Sequence, residues 1–232
     1  SSVSNCLLFF CAFPYLCAFI FTGFSVELAS FFSHNQSGPY IFFSFFFPDP
    51  IFYLSQKKKN TLSEKRYFHS VCTMNRMEIL AKIYNIDVEK AKLVGLIHDI
   101  AKEMLPEDAF EYMEKNELII DDIEKKCPSL LHAKIGANIA KTEYGFTEEM
   151  CKAIRVHTTG SADMSLMDKM LFIADGTGDD RKWEDVPYVR ELSEKNLDVA
   201  VLYMLDLNIK DIIDEKKLIH PDSVLARNAL IK

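Results

Sequence analysis

LVGLIHDIAKEM, residues 93–104, decides how this chain is read. An apolar run, Leu93 to Ile97, ends on an adjacent histidine and aspartate, His98 and Asp99, with Lys102 just beyond. The run has the look of a helix entering a core. Imidazole and carboxylate are costly to bury unless they are paired or hold a metal, so the pair needs a partner from elsewhere in the chain.

Working outward, residues 61–232 are rich in Glu, Lys, Asp, Ile, Leu and Ala, the composition of a helical globular protein. TLSE at Thr61 to Glu64 is a capping-box pattern, followed by apolar positions at helical spacing, from Phe68 to Tyr84. A second helix is predicted from Asp87 to Lys102, and a short third from Pro106 to about Asn116. CPSLLHAKIGANIAKTEYG places Ser129 as N-cap and Gly145 as stop; TEEMCKAIRVHTTG ends on Gly160; SLMDKMLFIADGTG is another such unit. A long helix from about Ser193 to Glu215 and a last one after Pro221 complete an all-α body.

Residues 1–60 differ. They hold fourteen of the eighteen Phe and five charged residues, with a compositional boundary near Lys57–Asn60. Residues 6–26 carry no charge and are about long enough to span a bilayer. Against an anchor stand the absence of a preceding basic residue, a second Phe-rich block broken by Pro48 and Pro50, and the lack of any Met before Met74. The favoured expectation is translated sequence upstream of a true start; a genuine membrane anchor is the alternative. Net charge is −7, which disfavours a nucleic-acid surface. Six cysteines without a CxxC pair read as reduced thiols of a cytoplasmic protein, membrane-anchored only if the leader is genuine.

Four of the six histidines, His69, His98, His132 and His157, lie on or beside predicted core helices. Asp175 closes the apolar run MLFIA as His98 closes its own. On a helix His98 and Asp99 are about 100° apart, and Lys102, three and four residues on, shares their face. Nitrogen and carboxylate ligands without thiolates suit Fe, Mn, Co, Ni or Zn in a reactive site.

The blocks RYFHSV, LIHDIAK, LLHAKIGA, IRVHTTG, FIADGTGDDR and LIHPDSVLARN, in this order, resemble the HD superfamily of metal-dependent phosphohydrolases, whose signature is H…HD…D. The HTTG and LIHPDS blocks look like the YqeK-type branch, which splits diadenosine tetraphosphate symmetrically into two ADP. The likeness covers roughly residues 61–232. It implies His69, His98, Asp99 and Asp175 as metal ligands, of iron first, with Mn, Co or Ni as alternatives and one or two ions. It places Arg66, Lys102, His132, His157, Thr158, Arg181 and the loop Leu218, Ile219, His220, Pro221, Asp222 and Ser223 around the nucleotide. His132 and His157 are also where related enzymes hold a second ion.

Two departures stand out. Where the family usually reads aspartate, an aromatic, then IEPGR, this chain has DGTGDDR from Asp175 to Arg181. The helix that the family carries before its first histidine is replaced by the Phe-rich leader.

The chemistry implied is attack by a metal-activated hydroxide, with Lys102, Arg66 and Arg181 as a cationic clamp and His132 or His157 moving a proton. Arg181 could instead pair with Asp179 or Asp180. The partners implied are a dinucleoside polyphosphate and its ADP product; a homodimer is left open. Competing expectations are an HD phosphohydrolase of another nucleotide, a nucleotidase or alarmone hydrolase, and a membrane-tethered, non-catalytic nucleotide sensor.

Overall fold

The computed structural model describes Ile51 and residues 62–231. Apart from Ile51, the leader lies outside the described residues, and so do the choice between anchor and upstream translation, the boundary near 57–60 and Thr61. All regular structure among the described residues from 62 onward is helical, as expected. None of these helices is long and apolar enough to cross a membrane.

Helix α1 (Glu64–Tyr84) starts two residues later than a Thr61 cap would have it. Ser63 is its N-cap, with Oγ accepting from the Arg66 amide, and Asn85, in the left-handed region, closes it. Ser63 also donates from its amide and hydroxyl to the Glu103 carboxylate, at 2.8 and 2.5 Å, which ties the start of α1 to the turn after Asp99.

Helix α2 (Val88–Ile97) is capped by Asp87 as expected but stops at Ile97, not Lys102. In a continuing helix the Asp99 amide would bond the Gly95 carbonyl. The His98 ring takes that carbonyl instead, Nδ1 to O 2.8 Å, and the chain goes on in three-residue turns: Ile100 N–H to Ile97 O, Lys102 N–H to Asp99 O, Met104 N–H to Ala101 O. His98, Asp99 and Lys102 therefore share a tight turn rather than a helix face.

Burial drives this turn inward. Leu93, Val94, Leu96 and Ile97 are all at most 1 % exposed, and each contributes about 1.5–3 kcal/mol of gross hydrophobic stabilisation. That offsets the several kcal/mol that desolvating a polar pair costs. Gly95 lets α1 and α2 close up, since a Cβ there would lie 2.8 Å from Met74 Cα.

Beyond the turn, α3 (Pro106–Lys115), α4 (Asp122–Lys126), a 3-10 turn (Pro128–Leu130) and α5 (Leu131–Tyr144) bury a core of Ala101, Ala109, Met113, Leu131, Ile135 and Ile139. Ile100 and Met104 pack on it and hold the turn from its far side. Helix α6 (Glu148–Val156) packs on α5 and α2, and α7 (Leu166–Thr177) touches α1, α2, α6 and the helices that follow.

Three expected boundaries are corrected. Ser129 sits inside the 3-10 turn, so α5 begins at Leu131. The helix Asp122–Lys126 was not expected; Asp121 caps it in a full capping box with Glu124. The expected long helix from Ser193 is two, α8 (Val186–Lys195) and α9 (Leu197–Asp214), broken at Asn196, which is extended and accepts the Val199 amide on its side chain. Asparagine favours such a cap because its side chain competes with the helix for backbone bonds. Helix α10 (Pro221–Leu230) ends the bundle.

Candidate metal centre

Three of the four histidines of the cluster reach the centre through the same local device. His98 follows α2, His157 follows α6 and His132 sits in the first turn of α5. Their Nδ1 atoms lie 2.8, 2.6 and 2.5 Å from the carbonyls of Gly95, Ile154 and Ser129, each three residues earlier. A carbonyl can only accept, so Nδ1 carries the proton and Nε2 faces the centre. His69 is mid-helix on α1 and pairs its Nδ1 with the Asp180 carboxylate at 2.8 Å. The four rings form an edge-to-face chain, with centroids 5.3, 5.1 and 5.0 Å apart from His69 to His98 to His157 to His132.

Asp99 and Asp175 complete the set. His69 Nε2 lies 2.9 Å from Asp175 Oδ1 and 3.8 Å from Asp99 Oδ2; His98 Nε2 lies 3.5 Å from Asp99 Oδ2 and 3.8 Å from Asp175 Oδ1. Ligands each about 2.1 Å from one ion in tetrahedral or octahedral array stand roughly 3–3.5 Å apart, so these separations fit a metal. Among the described residues His98 Nε2 and Asp99 Oδ1 are also buried without a hydrogen-bond partner, an arrangement that is costly unless a cation answers it. The donor chemistry, nitrogen and carboxylate with no thiolate, suits a reactive transition metal.

Asp99 faces two ways. Its Oδ1 lies 3.3 Å from His132 Nε2 and 3.6 Å from His157 Nε2, and those two nitrogens are 3.2 Å apart. Lys102 Nζ stands 3.2 Å from His132 Nε2. Burial works against ionising Asp99, but His98 and the contacts to His132 and His157 outweigh it and hold the carboxyl well below the usual range. Asp175 is lowered in the same way, burial opposing and the His69 hydrogen bond prevailing. Burial pushes His98 down and His132 down to about 4. For His157 burial pulls the same way, but Asp99 prevails and raises it.

The expected clamp is partly turned inward. Arg66 Nη1 donates to Asp99 Oδ2 at 2.6 Å. Of the two expected alternatives Arg181 makes a long ion pair with Asp180, Nε to Oδ2 4.0 Å, and its short hydrogen bonds go to the Asp175 carbonyl and to Asp175 Oδ1, both at 2.7 Å. Thr158 lies half-buried in the turn after α6.

The loop 218–223 shares no hydrogen bond or ion pair with the cluster among the described residues. His220 caps α10 and bonds Asp121 Oδ2 at 2.9 Å, Ser223 is buried and Leu218 is exposed. Asp121, Glu124 and His220 also group closely. Lys134 Nζ sits 2.6 Å from Glu124 and 3.8 Å from Asp121, so an ammonium already answers these carboxylates and the group reads as a latch.

Two site residues escaped the sequence reading. Asp180 was considered only as a partner for Arg181. Arg190, on α8, donates to the carbonyls of Thr177 and Gly178 and to Asp179, pinning the altered loop. Neither contact leaves a local signal, because each joins residues that only the packing brings together.

The family model described as HD domain matches residues 66–178, which contain all four histidines and both aspartates of the cluster. A protein of Halalkalibacterium halodurans named "Bis(5'-nucleosyl)-tetraphosphatase, symmetrical" is 33% identical over 177 residues, 76% of this chain and 94% of its own. The chain belongs to the HD domain family. A Bacillus subtilis protein of the same name is 30% identical over 75% of this chain and 93% of its own. Among solved structures, a Clostridium acetobutylicum protein described as a "predicted HD superfamily hydrolase involved in NAD metabolism" is 36% identical, with a TM-score of 0.74, covering 77% of this chain and 95% of that one.

Proposed function

We propose that this protein hydrolyses diadenosine tetraphosphate symmetrically to two ADP, using one transition metal, iron first, held by His69, His98, Asp99 and Asp175. The observation that carries the reading is the convergence of those four side chains, each of the two imidazole Nε2 atoms 2.9–3.8 Å from both carboxylates, in a chain similar over nearly the full length of two relatives named for that reaction. When bound, such an ion supplies a water acidified toward neutrality and polarises phosphate oxygens.

This chain's residues do the rest. Arg66 spends one nitrogen on Asp99, and Arg181 spends Nε and Nη2 on Asp175. Their remaining N–H donors, on side chains 26% and 36% exposed, hold phosphate oxygens, and Thr158 and the loop 218–223 border the nucleotide. His132, pulled down to about 4, is neutral at pH 7 and offers Nε2 as acceptor to Lys102. His157, whose pKa Asp99 raises, is the better placed of the two to give a proton from Nε2 to the departing ADP oxygen. We read Lys102 Nζ as the cation of the second set, which favours one metal ion over two. We place the reaction in the cytoplasm.

Anaerobic purification, metal analysis and a product assay on diadenosine tetraphosphate test the proposal. ADP as the only nucleotide product is expected. AMP with ATP, or hydrolysis confined to mononucleotides, would move the protein to another substrate, and tight ADP binding without turnover under any divalent metal would make it a sensor.

A further inference from the structure

Three of the four site histidines orient themselves on their own backbone; His69 has no such option. Within a helix the carbonyl three residues earlier, that of Arg66, points along the axis into the helical ladder. His69 is held from outside, by Asp180 Oδ2 on its Nδ1 at 2.8 Å. We propose that Asp180 is the positioning residue for His69: it fixes the proton on Nδ1 and so presents Nε2 to the metal. This rests on the reading of His69 as a ligand.

The contact comes from the loop DGTGDDR, Asp175 to Arg181. The seat for Asp180 is built. A Cβ on Gly178 would fall 2.8 Å from Asp180 Oδ1 and 3.2 Å from Cys72 Cβ, so a side chain there would press on the seated carboxylate. Among the described residues Asp180 Oδ1 is buried without a hydrogen-bond partner, and the Cys72 sulfur meets the backbone of Asp179 and Asp180 from one turn further along α1. Arg190 and Trp183 hold the loop backbone at Gly176, Thr177 and Gly178. The carboxylate is thus delivered by an anchored loop. A carboxylate behind a ligating imidazole raises its basicity as well as aiming it.

The test reads metal and tautomer, not turnover. In Asp180→Ala, metal affinity measured against a competing chelator should fall about 10- to 100-fold, and the His69 ring, followed by long-range proton–nitrogen NMR on the metal-free protein, should lose its Nδ1–H tautomer. Asp180→Asn keeps an acceptor for Nδ1–H and should restore the tautomer with most of the affinity; should Asp180→Ala fail to fold, Asp180→Asn against Asp180→Gly makes the same comparison. His69→Ala is the control and should lose the metal outright. Affinity within twofold of wild type and an unchanged tautomer in both Asp180→Ala and Asp180→Gly would overturn the proposal, provided His69→Ala fails to hold metal. Metal retained by His69→Ala would overturn the ligand reading itself.

Discussion

His98 has no exposed surface and its Nε2 makes no hydrogen bond among the described residues, while Asp99 beside it is 2% exposed and drawn on by three imidazoles and an arginine. His98→Ala or Asp99→Ala should therefore abolish both phosphohydrolysis and metal retention while circular dichroism still shows a helical protein. Full activity in either variant would remove the metal mechanism. Lys102 should behave differently, because its Nζ touches His132 and no proposed ligand. Lys102→Ala should retain the metal and lose roughly 2–3 kcal/mol of transition-state stabilisation, about 30- to 150-fold in rate, the worth of one charge-assisted contact. Loss of metal from that variant, read by elemental analysis, would place Lys102 in the wrong role.

Helices bring these side chains together by how closely they pass. Gly95 sits where α2 meets the backbone of α1 at Met74, five residues along from His69 and three before His98. Gly95→Ala forces a Cβ to 2.8 Å from Met74 Cα, and rigid backbone must move to admit it. The expected cost is about 1–3 kcal/mol of stability, together with weaker metal binding as α1 carries His69 away from His98. Thermal melts with and without metal would show both; a melt unchanged from wild type would mean the helices have slack that the packing does not suggest. At this same scale the reading from residue order was least accurate. His98 Nδ1 on the Gly95 carbonyl ends α2 five residues early, and Asn196 divides one expected helix into two. Each turns on a side chain competing for a backbone group, a choice periodicity does not encode.

Taken whole, the molecule spends stability on a buried polar centre and should recover it on binding. An ion present at a hundred times its dissociation constant adds about 2.7 kcal/mol, so chelation should lower the melting temperature by roughly 5–10 °C in a chain of this size. Without metal, pH enters through the histidines. Burial lowers His98, and lowers His132 to about 4. As pH falls below the unfolded value near 6.5, the unfolded chain takes up these protons first, so their contribution to stability, present above that value, is lost. His157, raised, runs the other way: its contribution is present in acid and lost as pH rises through its folded value. With two against one, the melting temperature of the chelated protein should decline from pH 7 to pH 5. A rise over that range would assign the controlling proton to His157.

Residue order alone was enough for the helical class and for the HD family, because buried apolar faces and motif residues are written into spacing and composition. The expected ligands His69, His98, Asp99 and Asp175 do meet, and Arg66 and Lys102 join them. Packing alone decided that Arg181 turns onto Asp175, that His220 latches to Asp121 instead of the cluster, and that Asp180 stands behind His69. Those contacts span 6, 99 and 111 residues. A carboxylate has the same chemistry wherever it lies along the chain, and only the approach of α1, α4, α7 and α10 selects which cation or imidazole it meets.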